Sequence, residues 1–375
     1  MKSGWLMFFF LVCVLMACEE DLKEEEQKIE IKDTPPTWSD SSPAVVHGAV
    51  SADLYVQTQT PSKVYWVITN QYENLSASDV KIRAEQPGDA LGGIADLENG
   101  ENTISVSDLE ENTSYTAYFL AQNISDSLYQ NTVKTVEFKT FTRQDTLTFT
   151  SVVENRTVDY LLYRPEEVLK NPEGKYPIAF FLAGYGEVAT EKKSIGLIHN
   201  GSLAEYIHLG NDVPMIVMSI QHAVPNWNTE LINEGIDHAL KTYPIDDSKL
   251  YMIGMSGGAF GCWAFAQRHP ERLAAIVPIS GIGDPTQACQ LKNLAVWAFH
   301  NGVDEVIHPG KTVSMINAIN ECNPKEEIKM LIFPDEGHDC WRRIFDPNHP
   351  DWKKSQDIPR IDLYNWLLSK SKSTQ

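Results

Sequence analysis

Apolar and polar positions follow two different rhythms along this chain. Between residues 38 and 143 they alternate in short runs separated by polar turns. The runs are Ala44 to Val50, Lys63 to Thr69, Asn102 to Val106, Ser114 to Gln122 and Thr132 to Thr140. A period of two belongs to strands with one buried face, and no helical period of useful length accompanies it, so an all-β sandwich is expected there. From residue 144 onward the rhythm changes to unbroken apolar runs. These are Asp159 to Tyr163, Pro177 to Leu182, Met215 to Ile220, Leu250 to Gly254, Ala274 to Ile279, Leu294 to Phe299 and Ile328 to Phe333. Helix-forming stretches lie between and after them, such as Glu230 to Thr242, Ala259 to Arg268, Gly310 to Asn320 and Pro359 to Ser371. Strands buried on both faces and alternating with helices predict an α/β domain over 144–375, with a mostly parallel sheet and an antiparallel edge formed by its first strands. Ligand chemistry in such a sheet gathers at the carboxyl ends of the strands.

The first residues carry an address rather than a fold. Lys2 precedes the apolar run Trp5 to Ala17, which is too short to span a bilayer and reads as the core of a signal peptide. Residues 1–18 end in Leu15-Met16-Ala17-Cys18, which resembles a bacterial lipobox. That resemblance implies acylation of Cys18 and a lipid anchor, with an ordinary secretory signal as the alternative. Residues 19–37 are acidic and end near Pro35-Pro36, as a flexible tether would. Glu19-Glu20-Asp21 and Glu24-Glu25-Glu26 resemble the export tag of Bacteroidetes surface lipoproteins, implying an outer-membrane protein that faces outward.

Charge and cysteine content narrow the picture further. The formal net charge of −20 leaves no basic face for phosphate, which excludes a nucleic-acid partner. Beyond Cys13 and Cys18 there are Cys262, Cys289, Cys322 and Cys340, an even number in an exported chain. Cys289 should precede a strand and Cys322 should end the following helix, so both fall at the bottom of the sheet and are the preferred pair. The alternative is four buried thiols. No zinc-type ligand spacing is present.

The chemistry centres on Leu250 to Pro270. A buried strand runs into Gly254-Met255-Ser256-Gly257-Gly258 and a helix starts at once, so Ser256 sits on a sharp strand-to-helix corner. Small neighbours are needed because the corner is strained and crowded. The N–H of Gly257 opens the helix, where unpaired amides favour an anion. Taken alone the motif also describes a plain glycine turn. Two further strand ends supply what a serine nucleophile requires. His300-Asn301-Gly302-Val303-Asp304 follows one, and Pro334 to Trp341, containing His338, follows another. His338 would take the proton from Ser256, and Asp304 would hold the imidazole in its tautomer. Asp304 is preferred over Glu305, Asp335 and Asp339; His300 is expected to order the loop. The N–H groups of Gly257 and Tyr185 are the candidate oxyanion donors. Trp227, Trp341 and Phe260 are candidate substrate-binding walls, with core packing as the rival role for each. This chemistry needs no cofactor and no metal.

The order serine, acid, histidine is that of α/β-hydrolases. Residues 157–369 resemble the esterases and related hydrolases of polysaccharide-degrading bacteria, a group containing feruloyl and acetylxylan esterases and related to prolyl oligopeptidases. The resemblance lies in Gly254 to Gly258 with Gly261 and Trp263, Arg272 to Asp284, Val296 to Asp304, Gly337-His338-Asp339 and Tyr364 to Leu368. It implies an enzyme, a serine carboxylic-ester hydrolase whose substrate is an ester, acyl groups on complex glycans. A peptidase and a catalytically silent glycan-binding lipoprotein are the alternatives. The family's oxyanion loop reads His-Gly-x-Gly-Glu-Arg-Gly, and here Ala183, Val188 and Ala189 replace three of its members. Residues 38–143 resemble a fibronectin type III module through Leu109 to Tyr118, where the tyrosine is expected at a sheet corner, and Val136 to Thr140. A spacer is the plainer role for that module.

Overall fold

The computed structural model describes residues 34–71, 74–88, 91–97, 101–188, 195–224, 226–353 and 361–372. The expected signal peptide, Cys18 and nearly all of the expected acidic tether lie outside the described residues, as do Ala189 and the start of the helix expected from Pro359.

The first half is a sandwich of two antiparallel sheets. Strands β1 (Ala44–His47), β2 (Ala52–Gln57) and β5 (Glu101–Val106) form one; β4 (Leu91–Leu97), β3 (Ser62–Thr69), β6 (Ser114–Asn123) and β7 (Lys134–Lys139) form the other, in that order. Leu54, Val56, Val64, Ala117 and Phe119 fill the space between them. Tyr115 takes the corner position, its hydroxyl accepting the Glu110 N–H at 2.8 Å. The sandwich also carries one helix that the strand rhythm hides, α1 (Ala77–Glu85). Ser76 and Asp79 start it with a reciprocal capping box, and Val80 and Ala84 pack on Tyr65, Val67, Tyr118 and Leu120. This is why β3 and β6 are buried on both faces.

The second half is an eight-stranded sheet in the order β15-β14-β13-β12-β10-β11-β9-β8. The strands are β8 (Gln144–Ser151), β9 (Arg156–Tyr163), β10 (Tyr176–Leu182), β11 (Ile216–Ile220), β12 (Ile245–Met255), β13 (Ala275–Ile279), β14 (Ala295–Val303) and β15 (Ile328–Glu336). β8 and β9 make the antiparallel edge and β10 to β15 are parallel. Alternate residues of the apolar runs serve opposite faces. Ile178, Phe180 and Leu182 meet one set of helices, while Ala179, Phe181 and Ala183 meet the other. Beyond the short α2 (Glu166–Lys170), the helices are α3 (Leu203–His208), α4 (Thr229–Thr242), α5 (Gly257–Arg268), α6 (Gly310–Glu321), α7 (Trp341–Phe345) and α8 (Leu363–Leu368). α4, α5 and α6 pack on the first face through Ile232, Phe265 and Ile316, whereas α3, α7 and α8 cover the second through Ile207, Phe345 and Leu367. Cys289 and Cys322 form a disulfide with their Cα atoms 5.2 Å apart, and Cys262 and Cys340 are buried free thiols.

Side chains of α2 help tie the halves together. Glu166 at the start of α2 accepts the N–H groups of Ala49 and Val50, at 2.7 and 3.0 Å, and the Ser51 hydroxyl at 2.6 Å. Lys170 one turn later pairs with Asp53 at 2.8 Å.

Candidate active site

β12 ends at Met255, and the chain turns through Ser256 with φ 52° and ψ −120° before entering α5. A positive φ at a residue with a side chain costs about 1–3 kcal/mol and persists only where surroundings enforce it. Here the enforcement is steric. A Cβ on Gly254 would come within 2.3 Å of the Gly258 carbonyl oxygen, and one on Gly258 within 1.9 Å of the Leu182 carbonyl oxygen. Only glycine lets β10, β12 and α5 meet so closely, and the Ser256 N–H anchors the corner on β13 through the Ile279 carbonyl at 2.9 Å.

Three side chains from separate strand ends converge on this corner. His338 Nε2 lies 2.8 Å from Ser256 Oγ, and His338 Nδ1 lies 2.7 Å from Asp304 Oδ2. Asp304 Oδ1 accepts the N–H groups of Val306 and Ile307 at 2.8 and 2.9 Å. Burial pushes the Asp304 carboxyl up, but the hydrogen bonds from His338, Ile307 and Val306 outweigh it and hold the group below its ordinary range. Asp304 is therefore ionised at neutral pH. The rival acids are engaged elsewhere or exposed: Asp335 pairs with Arg343, Asp339 with Arg342, and Glu305 faces solvent. His300 is fully buried behind Asp304, with Nε2 3.1 Å from Asp304 Oδ2.

Residues that the spacing of motifs did not single out position the histidine. The Asn301 amide, fully buried at the end of β14, reaches the carbonyls of Glu336, Gly337 and Asp339 at 3.4, 3.0 and 3.3 Å. The Ser280 hydroxyl donates to the His338 carbonyl at 3.2 Å. The loop bearing His338 is thus clamped on both sides of the imidazole. Both residues lie at the carboxyl ends of strands, which is the one signal the sequence offers for them.

The loop after β10 faces the nucleophile. Gly257 is the first residue of α5 and Tyr185 the first of a short 3-10 turn (Tyr185–Glu187), so neither N–H has an acceptor within its own helix. The Tyr185 ring lies over Gly257, where an added Cβ would come within 2.1 Å of it, and its hydroxyl donates to Asn226 Oδ1 at 3.3 Å. Glu187 folds back beneath this loop. Its buried carboxylate accepts the Asn200 amide at 3.2 Å, and burial raises its pKa.

The three aromatic candidates separate. Phe260 packs edge-on against Tyr185, with centroids 5.6 Å apart, and Trp341 packs edge-on against His338 at 5.2 Å. A cavity of about 620 Å³ begins at Phe260, one helical turn from Ser256, and continues along Ala264, Ile282 and Gly283 to Asp284 and Gln287. Trp227 has another job. It is buried, stacks on His222 at 4.3 Å, and its indole N–H donates to the Ala183 carbonyl at 3.1 Å. It props the loop from behind rather than forming a wall for substrate. A tryptophan after a strand end gives no sign in the sequence of which side of the loop it will take.

No protein-family model matches the chain, and no curated protein matches its sequence. Among solved structures, a thermostable esterase aligns at a TM-score of 0.48 and 18% identity, over 87% of this chain and 97% of that one. The feruloyl esterase module from Clostridium thermocellum, complexed with sinapinate, aligns at 0.42 and 18%, over 54% and 86%. An S-formylglutathione hydrolase from Staphylococcus aureus aligns at 0.43 and 12%, over 54% and 92%. Likenesses this distant carry no argument of their own. The sheet order, the elbow at Ser256 and the order serine, aspartate, histidine identify the second half of the chain as an α/β-hydrolase fold, preceded by a small β-sandwich.

Proposed function

We propose that the protein is a serine hydrolase of carboxylic esters, acting through an acyl-enzyme on Ser256. The observation that carries this reading is the unbroken hydrogen-bond chain Ser256, His338, Asp304, with both bonds shorter than 2.9 Å at the carboxyl edge of the sheet. In the first step Ser256 Oγ attacks the ester carbonyl while His338 Nε2 takes its proton. The imidazolium then gives that proton to the departing alcohol. Asp304, held ionised by its backbone donors, keeps the Nδ1–H tautomer and balances the charge. The N–H groups of Gly257 and Tyr185 receive the developing oxyanion, each worth roughly 3 kcal/mol of barrier. Water repeats the sequence to release the acid. Ala183 does not weaken this step, because backbone donors supply it.

The reading extends to acyl groups carried on complex glycans, on a protein tethered to the outer surface by a lipid at Cys18. What supports the substrate class is the resemblance of residues 157–369 to esterases of polysaccharide-degrading bacteria, together with a cavity from Phe260 to Gln287 that is large enough for a sugar-sized group and starts one helical turn along α5 from Ser256. What supports the anchor is the sequence from Lys2 to Cys18. The test uses protein lacking residues 1–18. It should release nitrophenol from short-chain acyl esters, be labelled at Ser256 by a fluorophosphonate, and deacylate feruloylated or acetylated xylan faster than it cleaves peptide amides. Ser256→Ala should lose turnover and labelling; turnover that survives this change refutes the nucleophile. Absent labelling of the wild type, with glycan binding retained, identifies the silent binding protein instead.

A further inference from the structure

The site contains a second buried imidazole that the triad chemistry does not use. His300 lies near the carboxyl end of β14 with no exposed surface. Its Nε2 lies 2.8 Å from the Ile307 carbonyl, an acceptor only, so this nitrogen carries the hydrogen. The same nitrogen lies 3.1 Å from Asp304 Oδ2, the oxygen that also receives His338 Nδ1–H. Nδ1 of His300 is 2.8 Å from the Thr312 hydroxyl on α6, which donates to it. Burial favours the neutral ring, and Asp304 and His338 are the titratable groups that act on it.

We propose that His300 is a positioning residue of the triad, acting through Asp304: its Nε2–H shares the carboxylate oxygen that orients His338, and its ring ties that oxygen to the Ile307 turn and to α6. The inference rests on the hydrolase reading of Ser256. Two imidazoles facing one oxygen have a definite electrostatic effect. The second donor draws charge from Oδ2, so Asp304 is a weaker base and leaves the proton on His338 during attack. Ile307 contributes from both ends, its N–H to Oδ1 and its carbonyl to His300, which fixes the carboxylate in plane.

The test is the pH dependence of fluorophosphonate labelling at Ser256 in full-length protein lacking only residues 1–18, for the wild type and for His300→Leu, His300→Asn and His300→Gln. The glutamine amide reaches the place of Nε2–H; the asparagine amide is too short. Leu and Asn variants should label about tenfold more slowly at neutral pH. The acid limb of their labelling profile should move relative to wild type, because the carboxylate oxygen that orients His338 has lost its second imidazole neighbour. The Gln variant should stay within about threefold of wild type with an unmoved limb. A residue that only fills space would leave the limb in place in all three, and that result overturns the proposal, as does a Gln variant whose limb moves with that of Leu. If Leu fails to fold, the Asn and Gln pair decides alone. A wild type that does not label overturns the functional reading instead.

Discussion

Asn301 is where stability and activity should part company. Its side-chain N–H group spans three carbonyls that bracket His338, and only the contact to Gly337, at 3.0 Å, has ordinary length. Its Oδ1 is buried and, among the described residues, has no partner. Asn301→Leu keeps the volume while removing both features. Losing one good bond and leaving carbonyls unpaired costs about 1–3 kcal/mol, but removing an unsatisfied oxygen returns part of that, so the net loss of stability should be about 1 kcal/mol. Activity responds to position rather than to bond count. Once released, the loop lets the imidazole drift from its 2.8 Å approach to Ser256, and a displacement near 1 Å costs about a hundredfold. The expected result is a urea midpoint close to wild type, with the rate of Ser256 labelling and kcat for a nitrophenyl ester reduced between about tenfold and a hundredfold. A variant that labels within about twofold of wild type would show that the His338 loop holds itself, and the reasoning would fall.

Three further outcomes follow from other parts of the molecule. Gly258→Ala drives a Cβ to 1.9 Å from the Leu182 carbonyl, so β10 and α5 must separate; a loss of about 3 kcal/mol or insoluble expression is expected, checked by thermal melting. His222 is buried and its pKa is pushed down to about 4, first by burial and then by Arg156. Because the folded state holds fewer protons than the unfolded one, stability contributed by the neutral ring is present above pH 6.5 and is lost as pH falls toward 4. The loss is at most about 3 kcal/mol, and His222→Gln should flatten that part of the curve in urea melts at pH 7, 5.5 and 4.5. Removing the Cys289–Cys322 bridge, which spans 33 residues of sequence, should cost about 3.5 kcal/mol by loop entropy, read as a lower urea midpoint of the double serine variant with Ser256 labelling retained.

Much of the second half was legible because parallel strands buried on both sides leave unbroken apolar runs, and each run ends where chemistry gathers. Ser256, Asp304 and His338 could be read from that rule together with the glycines the elbow requires. Other elements were hidden for physical reasons. β8 is an edge strand whose outward positions are polar, and β4 contains Gly92 and Gly93, so neither looks like a strand. α1 buries only Val80 and Ala84, too few apolar positions to set up a visible period, and its one clear mark is Ser76 three residues before Asp79. Asn301 and Ser280 act on backbone carbonyls, which no residue pattern records. For Trp227 the sequence leaves both a wall of the site and core packing open, because an aromatic beside a strand end is ambiguous until its N–H finds a partner, here Ala183.

The grip of Glu166 on Ala49, Val50 and Ser51 has a mechanical meaning for the hydrolase. The joint is closely packed: a Cβ on Gly48 would come within 1.6 Å of the same carboxylate. A load on the sandwich would therefore reach the sheet that carries Ser256 through α2. Glu166→Ala would remove three hydrogen bonds from that joint, keep the Lys170–Asp53 pair, and leave every atom of the triad untouched.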